Sequence, residues 1–117
     1  MNAFASSYEV RMARILKKNK IGFIYGRSFI VERNGDVVRR REVDFILRNI
    51  QIWSAELGRF VNCVEVKGAH IDKRARTQQK ELKDRGIYTA IFDKKKIFRC
   101  ERERRFFTNL LRPTPVF

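Results

Sequence analysis

The stretch Phe60-Val61-Asn62-Cys63-Val64-Glu65-Val66-Lys67-Gly68 decides the reading of this chain. It is taken together with Val43-Asp44-Phe45, which a gap of twenty residues separates from Glu65. Both runs are rich enough in β-branched and aromatic residues to be central strands, where side chains alternate between faces. Glu65 and Lys67 then project from one face, one pleat apart. On the earlier strand Val43, Phe45 and Leu47 fill one face, and Asp44 and Ile46 the other. A charge in a central strand is costly unless it is paired, so these three charges need a reason to be there. Two carboxylates meeting on strands can hold a hard divalent cation, with an amine beside a water that the cation activates. The plain alternatives are an edge aspartate paired with one of Arg39, Arg40 or Arg41, and a solvated ion-pair row at Glu65 and Lys67.

Upstream, Phe4, Tyr8, Met12, Ile15 and Leu16 recur at helical spacing up to about Lys18. Ser6 and Glu9 stand three apart as in a capping box. Glu9 also precedes Met12, Ala13 and Leu16 by three, four and seven residues, so it borders the apolar stripe and can reach over a sheet. Gly22 to Val31 reads as a strand, Asn34-Gly35 as a hairpin turn, and Val37 to Leu47 as the returning strand. Asn49 to Arg59 reads as a connecting segment. Asp72 caps a second helix that Gly86 stops, with Ile71, Ala75, Gln78 and Leu82 as its stripe and Gln79 one residue off it. An amide at Gln78, where leucine is expected, needs hydrogen-bond partners. Ile87 to Asp93 and Lys96 to Cys100 read as two short strands. Phe106, Phe107, Leu110 and Leu111 read as a final helix ended by Arg112-Pro113. The expectation is one α/β domain over residues 1–117, a mixed central sheet flanked by helices in the order α-β-β-β-α-β-β plus a C-terminal helix.

The balance of Lys+Arg 27 against Asp+Glu 13 leaves +14 and a pI near 10.6, the footprint of a nucleic-acid-binding domain. No apolar run is long enough to span a bilayer, and no signal peptide is read at the N-terminus, so a cytoplasmic protein without membrane contact is expected. Cys63 and Cys100 sit in apolar runs as small buried thiols. With His70 they cannot build a conventional zinc site.

The order of elements, with Asp44 and Glu65-x-Lys67 on successive central strands and a helix carrying Gln78 after them, resembles the PD-(D/E)xK nuclease superfamily. The chain has Val43 where the family name has proline. Size, basicity and the first-helix Glu9 look most like its small Holliday-junction resolvases; homing, transposon and restriction-type nucleases are further relatives of the same kind. The resemblance implies a restriction-endonuclease-like fold and a Mg²⁺-dependent DNA endonuclease in which Mn²⁺ substitutes. It implies Asp44, Glu65, Glu9 and the Val66 backbone carbonyl as metal ligands. Lys67 would assist the attacking water, Gln78 would support the site, and no small-molecule cofactor is involved. A homodimer or higher homo-oligomer is expected for paired incisions.

For the DNA track the sequence offers Arg39, Arg40 and Arg41 on a strand and Lys73, Arg74, Arg76 and Lys80 on the second helix. Trp53 and Tyr25 are candidate stacking residues, with core packing as the simpler role. The rival reading is a non-catalytic basic nucleic-acid-binding module, or a nuclease subunit that needs a partner to recognise DNA.

Overall fold

A computed structural model of the chain describes residues 6–68, 73–104 and 111–113. Its first helix, α1 (Ser7–Lys18), opens as the capping pattern requires: the Glu9 N–H donates to Ser6 Oγ at 3.2 Å. Met12, Ala13, Ile15 and Leu16 give it a buried face. A long hairpin follows, β1 (Phe23–Asn34) and β2 (Val37–Leu47), joined by the two-residue turn Gly35-Asp36 with Gly35 at φ +60°. The asparagine-glycine signal therefore holds, with Asn34 as the last paired residue.

Asn49 to Arg59 is more than a connector. It holds β3 (Ile50–Ser54), which pairs antiparallel with β4 (Arg59–Val61). Ile52 and Ser54 are buried while Trp53 between them is exposed, the period of two that makes a half-buried strand. The segment expected as one strand from Phe60 is divided at Asn62. Beyond it β5 (Cys63–Val66) runs antiparallel to β2 and parallel to β6 (Thr89–Phe92). Parallel strands need a crossover, supplied by α2 (Lys73–Lys83), after which Gly86 takes φ +80°. The capping role expected of Asp72 lies outside the described residues.

The strand expected at Lys96 to Cys100 is instead a helix, α3 (Lys94–Glu103). Asp93 caps it, accepting from the Lys96 N–H at 3.0 Å, and Ile97 and Cys100, three apart, form its buried face. A capping aspartate before residues at helical spacing outweighs strand propensity here. Of the final helix, residues 105–110 lie outside the described residues. Leu111 to Pro113 form a strand, β7, on the free side of β3.

The architecture is mixed α/β with two sheets, ordered β1-β2-β5-β6 and β4-β3-β7. Alternation along β5 divides the interior. Val64 and Val66 join Met12, Leu16, Phe45, Phe92 and Ile97 in a core with α1 and α3. Cys63 faces the other way, into a smaller core with Val31, Val43 and Leu82 of α2. Both cysteines are buried free thiols whose titration burial pushes up to about 11. No helix among the described residues is long and apolar enough to cross a membrane.

Candidate active site

The ladder between β2 and β5 consists of Phe45↔Val64 and Ile46↔Cys63. One residue further along, the Asp44 carboxylate takes over: its Oδ2 accepts the Val66 N–H at 2.8 Å, where a backbone carbonyl would serve in a continuing ladder. The hairpin is irregular at the same level. The register is kept from Tyr25↔Phe45 to Arg27↔Val43 and shifts only further out, between Ile30 and Glu32, but Gly26, opposite Asp44, adopts φ +70°. The two-face reading of β2 fails here. Phe45 and Leu47 belong to the core under α1, whereas Val43 packs with Val31, Cys63 and Leu82 beneath α2. A left-handed glycine beside a residue whose side chain replaces a ladder bond turns the strand over, and strict alternation ends there.

Glu65 lies against Asp44, within hydrogen-bonding reach of it. Burial, then the neighbouring Asp44 charge, pushes Glu65 up to about 8; Lys67 pulls it down and Glu9 pushes it up. Burial also pushes Asp44 up to about 6, against the lowering effect of the Val66 N–H and with Glu9 and Glu42 adding to the rise. Two carboxyl groups this close cannot both ionise without a cation between them, so at neutral pH the pair retains a proton.

Glu9 reaches the same region from α1. It is buried, and its Oε1 accepts the Tyr25 hydroxyl at 2.9 Å. The capping half of the expectation thus holds for its backbone, while its side chain turns inward. The Lys67 N–H donates to the Phe92 carbonyl at 2.9 Å, which fixes the chain where β5 ends. Of the Val66 backbone, expected to offer its carbonyl, the N–H is what bonds to Asp44. Gly68 is required by a close approach: a Cβ built there would run into the ring of Tyr8. Any side chain at Gly68 must displace the Tyr8 ring.

Among the described residues, none of Glu9, Asp44 and Glu65 forms an ion pair. Nor do three carboxylate, thiol or imidazole groups among them gather tightly enough to make a ready ion cage. The chemistry of the donors nevertheless fits a hard divalent cation. Two partly buried carboxyls share a proton, and a third carboxylate is near enough to raise both. An ion bound there would replace the proton.

The supporting amide differs from the expected one. Gln79, not Gln78, is buried on α2; its Nε2 donates to the Thr89 carbonyl at 2.9 Å and its Oε1 accepts from Arg76 at 3.1 Å. Gln78 is half-buried. With the helix beginning at Lys73, the buried positions Ala75, Gln79 and Leu82 stand four and three apart, which moves the stripe off Gln78. Gln79 bonds to β6 and to Arg76, so it braces the fold.

The expected DNA track divides too. Arg39 and Arg41 both pair with Glu81 of α2, Arg39 also pairs with Glu32, and Arg76 pairs with Glu56. Arg40, Lys73, Arg74 and Lys80 are exposed and form no ion pair among the described residues. His70 lies outside the described residues. The sequence offered Tyr25 only as a stacking candidate and not as the partner of Glu9, and gave Gly26 no part in the site, although a glycine inside a strand pattern was an available signal for it. Compared with protein-family profiles, curated proteins and solved structures, the chain has no significant match.

Proposed function

We propose that this chain is a Mg²⁺-dependent endonuclease of the PD-(D/E)xK kind, with a restriction-endonuclease-like arrangement, acting on DNA in the cytoplasm as a homodimer or higher homo-oligomer. The observation that carries the reading is the pairing of Asp44 with Glu65. In a chain with an excess of fourteen positive charges, two partly buried carboxyls are placed against each other with no ion-pair partner among the described residues. A structural ion pair would have drawn on that excess, yet the one positive side chain acting on both groups, Lys67, forms no ion pair with either.

Asp44 and Glu65, with Glu9 beside them, would hold the ion. The ion, once held there, would supply Lewis-acid polarisation of the phosphodiester and a lowered pKa for the attacking water. The residues of the chain do the rest. The Val66 N–H holds the Asp44 carboxylate in one orientation. Tyr25 holds Glu9 at the margin of the core. Lys67 stands just past the end of β5, two residues after Glu65 and close enough to act on its charge, where its ammonium can orient the attacking water and stabilise negative charge building on the phosphate. Hydrolysis would join the water oxygen to phosphorus and break the bond to the leaving deoxyribose oxygen, which takes up a proton while the water gives one to solvent. Holliday junctions are the favoured substrate on the resemblance in size and in Glu9.

The test is cleavage of a labelled panel (four-way junction, linear duplex, single strand and RNA) in Mg²⁺, Mn²⁺ and Ca²⁺, with Glu65→Ala alongside. Cutting in Mg²⁺ and Mn²⁺, weak or absent in Ca²⁺ and lost in the variant, is the expected result. Salt-sensitive binding with no cutting, equal in the variant, would instead establish a binding module.

A further inference from the structure

Some of the described arginines pair with carboxylates and some lie over aromatic rings, Arg11 doing both. Arg11, Arg39, Arg41, Arg76 and Arg99 each pair with a glutamate. Arg27, Arg59 and Arg112 form no ion pair among the described residues and lie over aromatic rings instead. Arg59 sits 3.7 Å from the Tyr88 ring centre, Arg112 4.0 Å from Phe60, and Arg27 5.7 Å from Phe29. A guanidinium stacked on a ring has a fixed orientation and can keep in-plane N–H donors for a phosphate; Arg112 gives its Nε–H to Gln51 at 2.8 Å, while Arg27 and Arg59 make no side-chain hydrogen bond among the described residues.

Arg27, Arg59 and all three rings line one cleft at the seam between the two sheets, of about 360 Å³. Among the described residues no carboxylate lines it. Its polar lining includes Gln51 and Asn62, whose oxygens are already engaged by Arg112 at 2.8 Å and by the Cys63 thiol at 3.6 Å. Its floor includes Ile46 and Cys63, a ladder pair of β2 and β5. Asp44 and Glu65 lie two residues further along those same strands, about 7 Å away at strand rise.

A ligand for this cleft is anionic, rich in acceptors and flat. We infer that the cleft receives an unpaired nucleotide of the nucleic-acid strand, its phosphate on Arg27 and Arg59 and its base among the rings. The volume admits one nucleotide and not a duplex, and within a duplex the base faces are already stacked. Base stacking on aromatic side chains together with arginine contacts is how single strands are held without sequence preference. The inference rests on the reading of the chain as a nucleic-acid enzyme and deepens it: the substrate would carry unpaired nucleotides next to the scissile phosphate, as at a branch point or a single-stranded flank.

Binding without divalent metal tests this separately from catalysis. The full chain is titrated in EDTA, at fixed salt, with a labelled oligothymidylate, an abasic strand of the same length and a duplex. The expected result is that the oligothymidylate binds at least about tenfold more tightly than the abasic strand. Arg59→Ala should remove most of that difference. Arg59→Lys, which keeps the charge and loses the planar fork, should not restore it. Arg14→Ala, an exposed cation on α1, should weaken all three ligands alike. Equal binding of abasic and thymidylate strands, or equal loss on single strand and duplex in Arg59→Ala, would overturn the proposal. Both arginines are exposed, so an unchanged melting temperature confirms that folding is not at issue. A chain that cuts nothing in Mg²⁺ yet prefers thymidylate over abasic strand would refute the nuclease reading and leave the cleft standing.

Discussion

The two ends of β2 treat carboxylates in opposite ways. Toward the hairpin turn, Glu81 of α2 receives two guanidinium groups, Arg39 at 3.0 Å and Arg41 at 3.2 Å. Three residues beyond Arg41, Asp44 meets another carboxyl group, with no ion-pair partner among the described residues. Glu56 follows the first pattern: burial pushes it up, but hydrogen bonds from Arg76 and Gln79 outweigh that and hold it below the usual range. Arginine is abundant, yet among the described residues none pairs with Asp44 or Glu65. One end of the strand is built to hold the fold together. The other carries an electrostatic penalty that a bound cation would remove.

The largest expected effect separates these ends by function. Asp44→Asn and Glu65→Gln should each lower Mg²⁺-dependent cleavage by more than about a hundredfold, since even groups one shell removed from a metal are worth 10–100-fold. Lys67→Ala should cost about 10²–10⁴-fold. Thermal melting of Asp44→Asn without metal should be unchanged or higher, because the amide still accepts the Val66 N–H and no longer faces a second charge. Glu81→Gln should leave cleavage unchanged. If it removed activity and Asp44→Asn did not, the assignment would be reversed.

Next in size is the dependence on pH. For both carboxyls the folded value lies above the ordinary one, about 6 for Asp44 and about 8 for Glu65. The unfolded chain therefore releases these protons first, near pH 4. Their contribution to stability is fully present below that value and is lost as pH rises toward 8. Melting without metal should fall steadily across pH 4–8, and Mn²⁺ should raise it more at pH 8 than at pH 5. A pH-independent response to Mn²⁺ would place the ion elsewhere.

How much of this the sequence disclosed depends on the range of the interaction. The hairpin, α1, the crossover through α2 and the charged set on β2 and β5 are written in local spacing and turn chemistry. α3 was legible too, in Asp93 followed by residues at helical spacing, but the apolar run from Ile97 masked it. The pairing of β3 with β7 joins Ile50 to Pro113, and a contact so distant leaves no local mark. The reversal of β2 at Asp44 depends on one side chain replacing a backbone acceptor, which periodicity cannot express. The choice between Gln78 and Gln79 turned on where the helix begins, the least certain feature of any periodic pattern.

That choice gives a smaller effect. Gln79→Ala strips a buried hydrogen bond from the Thr89 carbonyl and should cost about 1–3 kcal/mol. Gln78→Ala should stay within about 0.5 kcal/mol. Urea melts of the two variants compare them directly, and equal losses would mean that the stripe runs between them.

The smallest effect returns to Glu81. Its two arginines are partly exposed, so solvent screens the pairs and two long side chains lose freedom in making them. Glu81→Gln should therefore cost less than about 1 kcal/mol at low salt. The cost should shrink further at 1 M salt, where the screening length falls to about 3 Å. Urea melts at both salt concentrations check this. A loss above 2 kcal/mol that salt does not reduce would mean that Glu81 acts by packing, and the contrast between the two ends of β2 would then not be one of charge.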